Sequence, residues 1–356
     1  MEILFDSKRT TKPVLSIVLL DWSCRESFHI FDYLSSQGLE RDQFEVLWIE
    51  YYDRRSEAIT TAISKSQAAG SPPPVDKWIV LDMPGNLYYH KHLMYNVGIL
   101  ASAGEIITFC DSDGIVSENF VASILRSFAA DPNIVLHLDQ VRNGERKYYP
   151  FNYPSLKEIT TTGKNNVVDG KPAGLSDVTD PIHTRNYGAC MSARRDDLIA
   201  IGGADEHLDY LGYVCGPYDM TWRLVNAGKK EIWHESEWTY HVWHPGQLGD
   251  RNYFGPHDGL HISSTALATR RSGRVLPLNE NPAITELRLT KTSQSGSDGL
   301  LERGVLGRDF SQWKVSKMRL EAIKIGKVAL RKFLPRSVKT YVRSRFRELR
   351  SSRSER

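Results

Sequence analysis

The chain has 356 residues, 40% hydrophobic and 25% charged, a balance that excludes a disordered, collagen-like or disulfide-framework protein and leaves a folded enzyme or a large binding module. The net charge of +3 conceals two opposed parts: Lys314 to Arg356 hold 15 Lys and Arg against 3 Glu, leaving 31 basic and 40 acidic residues before them. An acidic body and a basic tail are expected to act as separate electrostatic objects. Residues 1–13, MEILFDSKRTTKP, read as an N-terminal tail without the basic start, long apolar stretch and cleavage site of a secretory signal. No apolar run approaches the roughly 20 residues that a bilayer demands. A cytoplasmic location is expected, and Cys24, Cys110, Cys190 and Cys215, which have no CxxC spacing, read as buried thiols.

In chain order, VLSIVLL (14–20) predicts a buried strand, SFHIFDYLSSQG a helix ending at Gly38, and FEVLWIEYY and KWIVLDM two more strands. LMYNVGILASAG has helical spacing up to Gly104, EIITFCDSDG is a strand ending in carboxylates, and NFVASILRSFAA is a helix. IVLHLDQV is strand-like, and residues 143 to 186, rich in Gly, Asn, Thr, Asp and Pro, read as loop on the acceptor side. YGACMSARR, DMTWRLVNAG and KEIWHESEWTYHVWH add a strand, a helix and further strand-like segments. Residues 280–313, with SQSGSDG, read as a linker, and 314–356 as two basic amphipathic helices interrupted at Pro335. The alternation predicts an α/β fold with a mostly parallel sheet and ligands beyond the carboxyl ends of its strands, after residues 20, 50 and 110.

Two local patterns carry chemistry. Asp111-Ser112-Asp113-Gly114 follows a strand directly, and two carboxylates one residue apart can turn together toward Mg²⁺ or Mn²⁺, although Asp-rich turns are also common without a metal. His241 and His244 stand three apart after a strand-like segment. Neutral imidazoles can complete a Mn²⁺ shell. Period-two geometry cannot put both on one strand face, so a turn is needed for both to bind. His257 and His261 share a helical spacing and receive no role.

The span KHLMYNVGILASAGEIITFCDSDG resembles the stretch of family 2 glycosyltransferases with a GT-A fold that reads "ARNxGIxxAxGDIIxFLDxDD". VLSIVLL, FEVLWIE, ACMSARRDDLIAIGGADEHL and DMTWRLVNAGK extend the resemblance over about residues 14 to 265. It implies a GT-A type, Rossmann-like domain over 14–279, with a nucleotide-sugar half (about 14–115) and an acceptor half (about 116–279). Asp111 and Asp113 then match the metal-binding DxD, with Asp111 also facing the ribose or sugar. Asn96 takes the "RN" position, although Tyr95 replaces the arginine. Glu50, or Asp53, stands for the acidic residue that meets the base or ribose. His241 first, and His244 second, match the histidine that completes the metal shell.

The family's "ED" general base is missing, because Gly216 and Pro217 occupy its place. Asp219, Asp209, Asp205 and Glu206 are the candidates to replace it. The implied activity is metal-dependent transfer from a nucleotide-diphospho-sugar, UDP-linked, to a glycan or lipid-linked acceptor in surface polysaccharide synthesis, with inversion. A catalytically degenerate sugar-nucleotide-binding protein, a retaining transferase and a metal-dependent phosphohydrolase stay open. The basic tail suits an anionic membrane surface or packing against the body or a second subunit, and no nucleic-acid partner is expected.

Overall fold

Strands covered on both faces need apolar side chains at nearly every position, and the runs read above supply them. The computed structural model describes residues 1–149, 151–161, 167–168, 171–172, 187–212, 217–244, 264–290 and 298–314. Its first part contains β1 (Glu2–Asp6), β2 (Leu15–Asp21), α1 (Ile30–Ser35), β3 (Phe44–Glu50), α2 (Glu57–Ala68), β4 (Lys77–Val80), α3 (Lys91–Ala101), β5 (Ile106–Asp111) and α4 (Phe120–Ala130). There follow β6 (Ile134–His137), β7 (Gln140–Asn143), α5 (Leu156–Thr161), a two-residue pair β8 (Val167–Val168) and β9 (Lys171–Pro172), β10 (Cys190–Arg194), α6 (Arg195–Ala200), α7 (Tyr218–Asn226), β11 (Lys230–Trp233) and β12 (Thr239–Val242). The chain then forms α8 (Ser264–Ser272), α9 (Pro282–Thr290) and α10 (Asp298–Val305).

Eight strands form one sheet in the order β1-β4-β3-β2-β5-β10-β6-β11. Only β1 and β10 run antiparallel to their neighbours. Alternation divides each central strand between two cores: Val18 and Leu20 of β2 join Leu47 and Ile49 of β3 on the face of α3, α6, α7, α9 and α10. Leu15, Ile17 and Leu19 join Val46 and Trp48 on the face of α2 and α4. A mixed, mostly parallel sheet flanked by helices, as the resemblance implies, is therefore present. Gly104 lets the turn before β5 pass close to β2, since a Cβ there would stand 2.7 Å from the Ser16 amide nitrogen.

Three expectations change. Residues 1–13 are not simply a tail, because β1 pairs with β4 and extends the sheet. Residues 280–313 are not a linker: Ile284 and Leu287 of α9, Leu300, Leu301 and Val305 of α10, and Trp313 are buried in the core, and the compact unit runs from Met1 to Trp313. IVLHLDQV is two strands, β6 in the large sheet and β7 paired with β12 in a small one. Cys110 and Cys190, cross-strand neighbours on β5 and β10, are buried free thiols and Cys24 is half-buried. Cys215, His257, His261 and residues 315–356 lie outside the described residues. Among the described residues no helix is long and apolar enough to cross a membrane.

Candidate functional site

The carboxyl ends of three parallel strands meet in register, with Asp21 opposite Glu50 and Leu20 opposite Asp111. Past β5 the chain turns sharply: the Ser112 hydroxyl donates to the Leu20 carbonyl (2.7 Å) and the Gly114 amide to the Asp111 carbonyl (3.1 Å). Ile115 then bridges Tyr240 through two backbone hydrogen bonds of 2.8 Å. This bridge brings the end of β12 to the carboxylate turn. His241 Nε2 lies 3.2 Å and His244 Nε2 2.8 Å from Asp113 Oδ2. His241 is in the strand and His244 just beyond it, so leaving the pleat is what aims both rings at one oxygen.

Donor atoms of Asp113, His241 and His244 all lie within 4.8 Å of one another. Ligands at about 2.1 Å from a metal in octahedral array are roughly 3 Å apart along an edge, and the two measured separations match that spacing. Burial, opposed by Asp113, holds His241 below its ordinary pKa, which keeps the imidazole neutral with a lone pair to offer. Burial alone would raise Asp113, but Arg25 and the two histidines hold it well below the carboxylate range. The residues present thus fit a divalent metal.

Arg25 touches this trio, and two further basic groups pair with carboxylates at the neighbouring strand ends. Arg25 Nη1 stands 2.5 Å from Asp113 Oδ2 and its Nε 3.0 Å from Ser112 Oγ. Lys91 Nζ, at the start of α3, is 3.3 Å from Asp111 Oδ1. Against burial, Tyr95 and Asp111 keep Lys91 above the ordinary lysine value, so it stays charged. Arg54 joins Asp21 and Glu50. Burial and then the Asp21 carboxylate push Glu50 up to about 8, against Arg54 and Ser23. His29 Nε2 approaches the Asp113 carbonyl oxygen at 3.1 Å, its ring stacked 3.6 Å from Tyr153. Burial lowers this histidine to about 4.

The structure gathers Asp113, His241 and His244, and it places the other expected residues differently. Asp111 faces Lys91 rather than joining the trio. Asn96 is fully buried, its amide donating to Ala204 O (2.9 Å) and Glu206 Oε1 (2.8 Å) and its oxygen accepting from the Ala204 amide (2.7 Å). Glu50 is also buried, and Oε1 accepts from the Ser23 amide (2.5 Å) and hydroxyl (2.9 Å). It holds the loop after β2, whereas Asp53 is exposed.

Asp219 has no exposed surface. Arg223 Nε donates to one oxygen (2.7 Å), and Thr269 Oγ1 (2.6 Å) and Arg274 (3.2 Å) to the other. Asp205 and Glu206 are likewise buried and engaged, by Leu278, Asn279 and Arg274 and by Asn96, Asn281 and Arg308. Asp209 has 42% of its side chain exposed, with Thr265 donating to it. Arg25, Lys91, Arg54, Asp21 and His29 escaped the sequence reading. The signal available for them was position alone: the last residue of β2, the loops after β2 and β3, and the first residue of α3.

No known family matches the chain, and no curated protein does. Solved structures with some likeness include S. aureus TarS 1-349 in complex with UDP, at 12% identity over 65% of this chain and 61% of that one, with a TM-score of 0.40. GalNAc-T7 with UDP, GalNAc and Mn²⁺ is 13% identical over 69% of this chain and 47% of that one, at a TM-score of 0.44. Mannosyltransferase PcManGT from Pyrobaculum calidifontis, in complex with GDP-Man and Mn²⁺, is 12% identical over 96% of this chain and 86% of that one, at 0.41. The chain spans about three fifths of the TarS fragment. Likenesses this distant carry no functional argument, which rests on the site.

Proposed function

We propose that the chain is a metal-dependent glycosyltransferase of GT-A type that takes a sugar from a nucleotide-diphospho-sugar, UDP-linked, and passes it to a glycan or lipid-linked acceptor in surface polysaccharide synthesis. The observation that carries this reading is the convergence of Asp113, His241 and His244 at the carboxyl edge of a mostly parallel sheet, with Arg25 on Asp113 and with Lys91 and Arg54 on carboxylates of the same strand ends. A divalent-metal site with an arginine on it and two more cations along the same strand ends suits a diphosphate. Two imidazoles and one carboxylate also suit a non-haem iron; the surrounding basic residues favour the nucleotide. Nitrogen donors speak for Mn²⁺ over Mg²⁺, which prefers oxygen. Bound there, the metal would neutralise charge developing on the leaving diphosphate.

Asp113 and both histidines hold the metal, Lys91 stays charged to meet anionic oxygen, and Asp111 faces the ribose or sugar while paired with Lys91. A general base needs to come within about 3 Å of the acceptor hydroxyl. Asp219, closed in by Arg223, Thr269 and Arg274, is assigned to the fold, and Asp209, the accessible member of the four candidates, to the base of an inverting reaction. Calorimetry with UDP and Mn²⁺ tests the reading. Wild-type protein should bind UDP only with the metal, and Asp113→Ala should lose that binding; equal affinity in the two proteins would sink the metal site. NMR of the product's anomeric centre separates inversion from retention, in which the leaving diphosphate itself takes the proton.

A further inference from the structure

Asp113 Oδ2 faces three groups at once: Arg25 Nη1 at 2.5 Å, His244 Nε2 at 2.8 Å and His241 Nε2 at 3.2 Å. The imidazoles can turn from donors to ligands by presenting a lone pair to a metal. A guanidinium cannot, because it has no lone pair to give and does not deprotonate. Arg25 therefore competes with a metal for the same oxygen, as one positive charge against another at a distance where like charges repel even at an effective dielectric of about 20.

The backbone carrying Arg25 is pinned. The Asp21 carboxylate accepts from the Trp22 and Cys24 amides at 2.7 and 3.1 Å, and Glu50 accepts from the Ser23 amide at 2.5 Å. Ser23 is held at a φ of 64°, a left-handed conformation that side chains other than glycine adopt at a cost. Arg54 Nη1 donates to the Arg25 carbonyl at 2.7 Å. Any change of partner therefore falls to the long side chain, which lies over the Trp22 ring at 5.3 Å with Nε 3.0 Å from Ser112 Oγ.

We infer that Arg25 is the built-in counter-cation of the metal site. It neutralises Asp113 while the metal is absent and passes to the donor's diphosphate when metal and nucleotide enter together. Metal alone has to dislodge the guanidinium without offering it an anion, whereas metal with a diphosphate supplies a bidentate partner. Mn²⁺ and UDP should consequently bind with positive coupling, each improving the other's affinity equally. This inference rests on the metal-dependent reading above.

The test is Mn²⁺ binding by the full chain, followed by the EPR signal of free Mn²⁺, with and without UDP, in wild type, Arg25→Gln and Arg25→Lys. Arg25→Gln should bind Mn²⁺ alone about tenfold more tightly than wild type and lose most of the gain that UDP confers, the size expected of an ordinary coupling. Arg25→Lys keeps the charge, so it should bind Mn²⁺ alone as weakly as wild type. A merely structural arginine would not make its removal tighten metal binding. Equal Mn²⁺ affinities in wild type and Arg25→Gln, with an equal gain from UDP, overturn the inference and leave the metal site standing. Should Arg25→Gln not fold, Arg25→Lys binding Mn²⁺ alone more tightly than wild type overturns it. Absence of Mn²⁺ binding in every protein, with or without UDP, removes the metal site and the inference together.

Discussion

An oxygen approached by two imidazoles and a guanidinium is a different object from one in an Asp-rich turn, and the difference should appear in single substitutions. Asp113→Ala should remove Mn²⁺-dependent UDP binding while the circular dichroism stays native, since the residue lies at the sheet edge. His241→Ala and His244→Ala should each weaken Mn²⁺ binding by roughly tenfold or more, measured by the same titration. The two separations from Asp113, 3.2 and 2.8 Å, give neither histidine precedence; an unaffected His244→Ala would leave His241 as the one imidazole ligand. Asp219 illustrates the opposite case. Burial opposes its charge, but Arg223 and Thr269 hold its pKa below the ordinary value. A depressed carboxylate pKa contributes stability that is fully present above the unfolded value, about 3.9, and lost as pH falls through the lower folded value. Asp219→Asn should lower stability at pH 7 by about 3 kcal/mol, since Arg223 is left buried without its partner, and flatten the acid limb of the stability curve. Urea unfolding at pH 7 and at about pH 2, below the unfolded value, checks both, and full stability with lost turnover would return Asp219 to the chemistry.

At the scale of elements, the legible ones bury a face that their own pattern specifies. Leu15 to Asp21 is buried at every position, and α4 puts Phe120, Val121, Ile124 and Phe128 on one stripe, so period and length sufficed to find them. The elements missed lack that signal. β1 is exposed at Glu2 and half-buried at its other four positions because it lies at an edge, and its membership depends on β4 offering a free side. α9 and α10 present only short apolar sets on either side of a Ser- and Gly-containing stretch, and their helicity matters because α3 and α6 give them a surface. Trp313 makes the point measurable. Its ring lies 4.5 Å from that of His90 with the planes tilted by 42°, and its carbonyl accepts from the Tyr88 amide at 2.9 Å. Trp313→Ala should cost about 3–5 kcal/mol, as large-to-small changes in a core do; a linker residue would cost almost nothing. The midpoint of urea denaturation distinguishes the two.

The charge asymmetry belongs to the whole molecule. A surplus of 12 positive charges in Lys314–Arg356 follows an acidic body, and each Lys or Arg near an anionic headgroup contributes about 1 kcal/mol of membrane attraction. Full-length protein should therefore sediment with vesicles rich in anionic lipid, and a chain ending at Trp313 should not, while keeping its Mn²⁺-dependent UDP binding. Salt should imitate the deletion, because the Debye length falls from about 8 Å at 0.15 M to about 3 Å at 1 M. Failure of the full-length chain to sediment would leave packing on the body or on a second subunit as the tail's role.

The sequence by itself determined the alternation of buried strands and amphipathic helices, the edge of the sheet at which carboxylates collect, and the residue types that could hold a metal. These are local matters, set by period-two and period-3.6 burial and by the chain leaving the pleat after Asp111. The tertiary structure decided which polar groups meet. The Ile115–Tyr240 bridge brings His241 and His244 to a carboxylate 128 and 131 positions earlier, and Arg25 arrives from a loop 88 positions away. Asn96, Glu50 and Asp219 are buried and engaged because each found backbone or arginine partners across the fold. A carboxylate or amide is available to a ligand only if its own protein leaves it unsatisfied, and burial beside partners distant along the chain is what settles that.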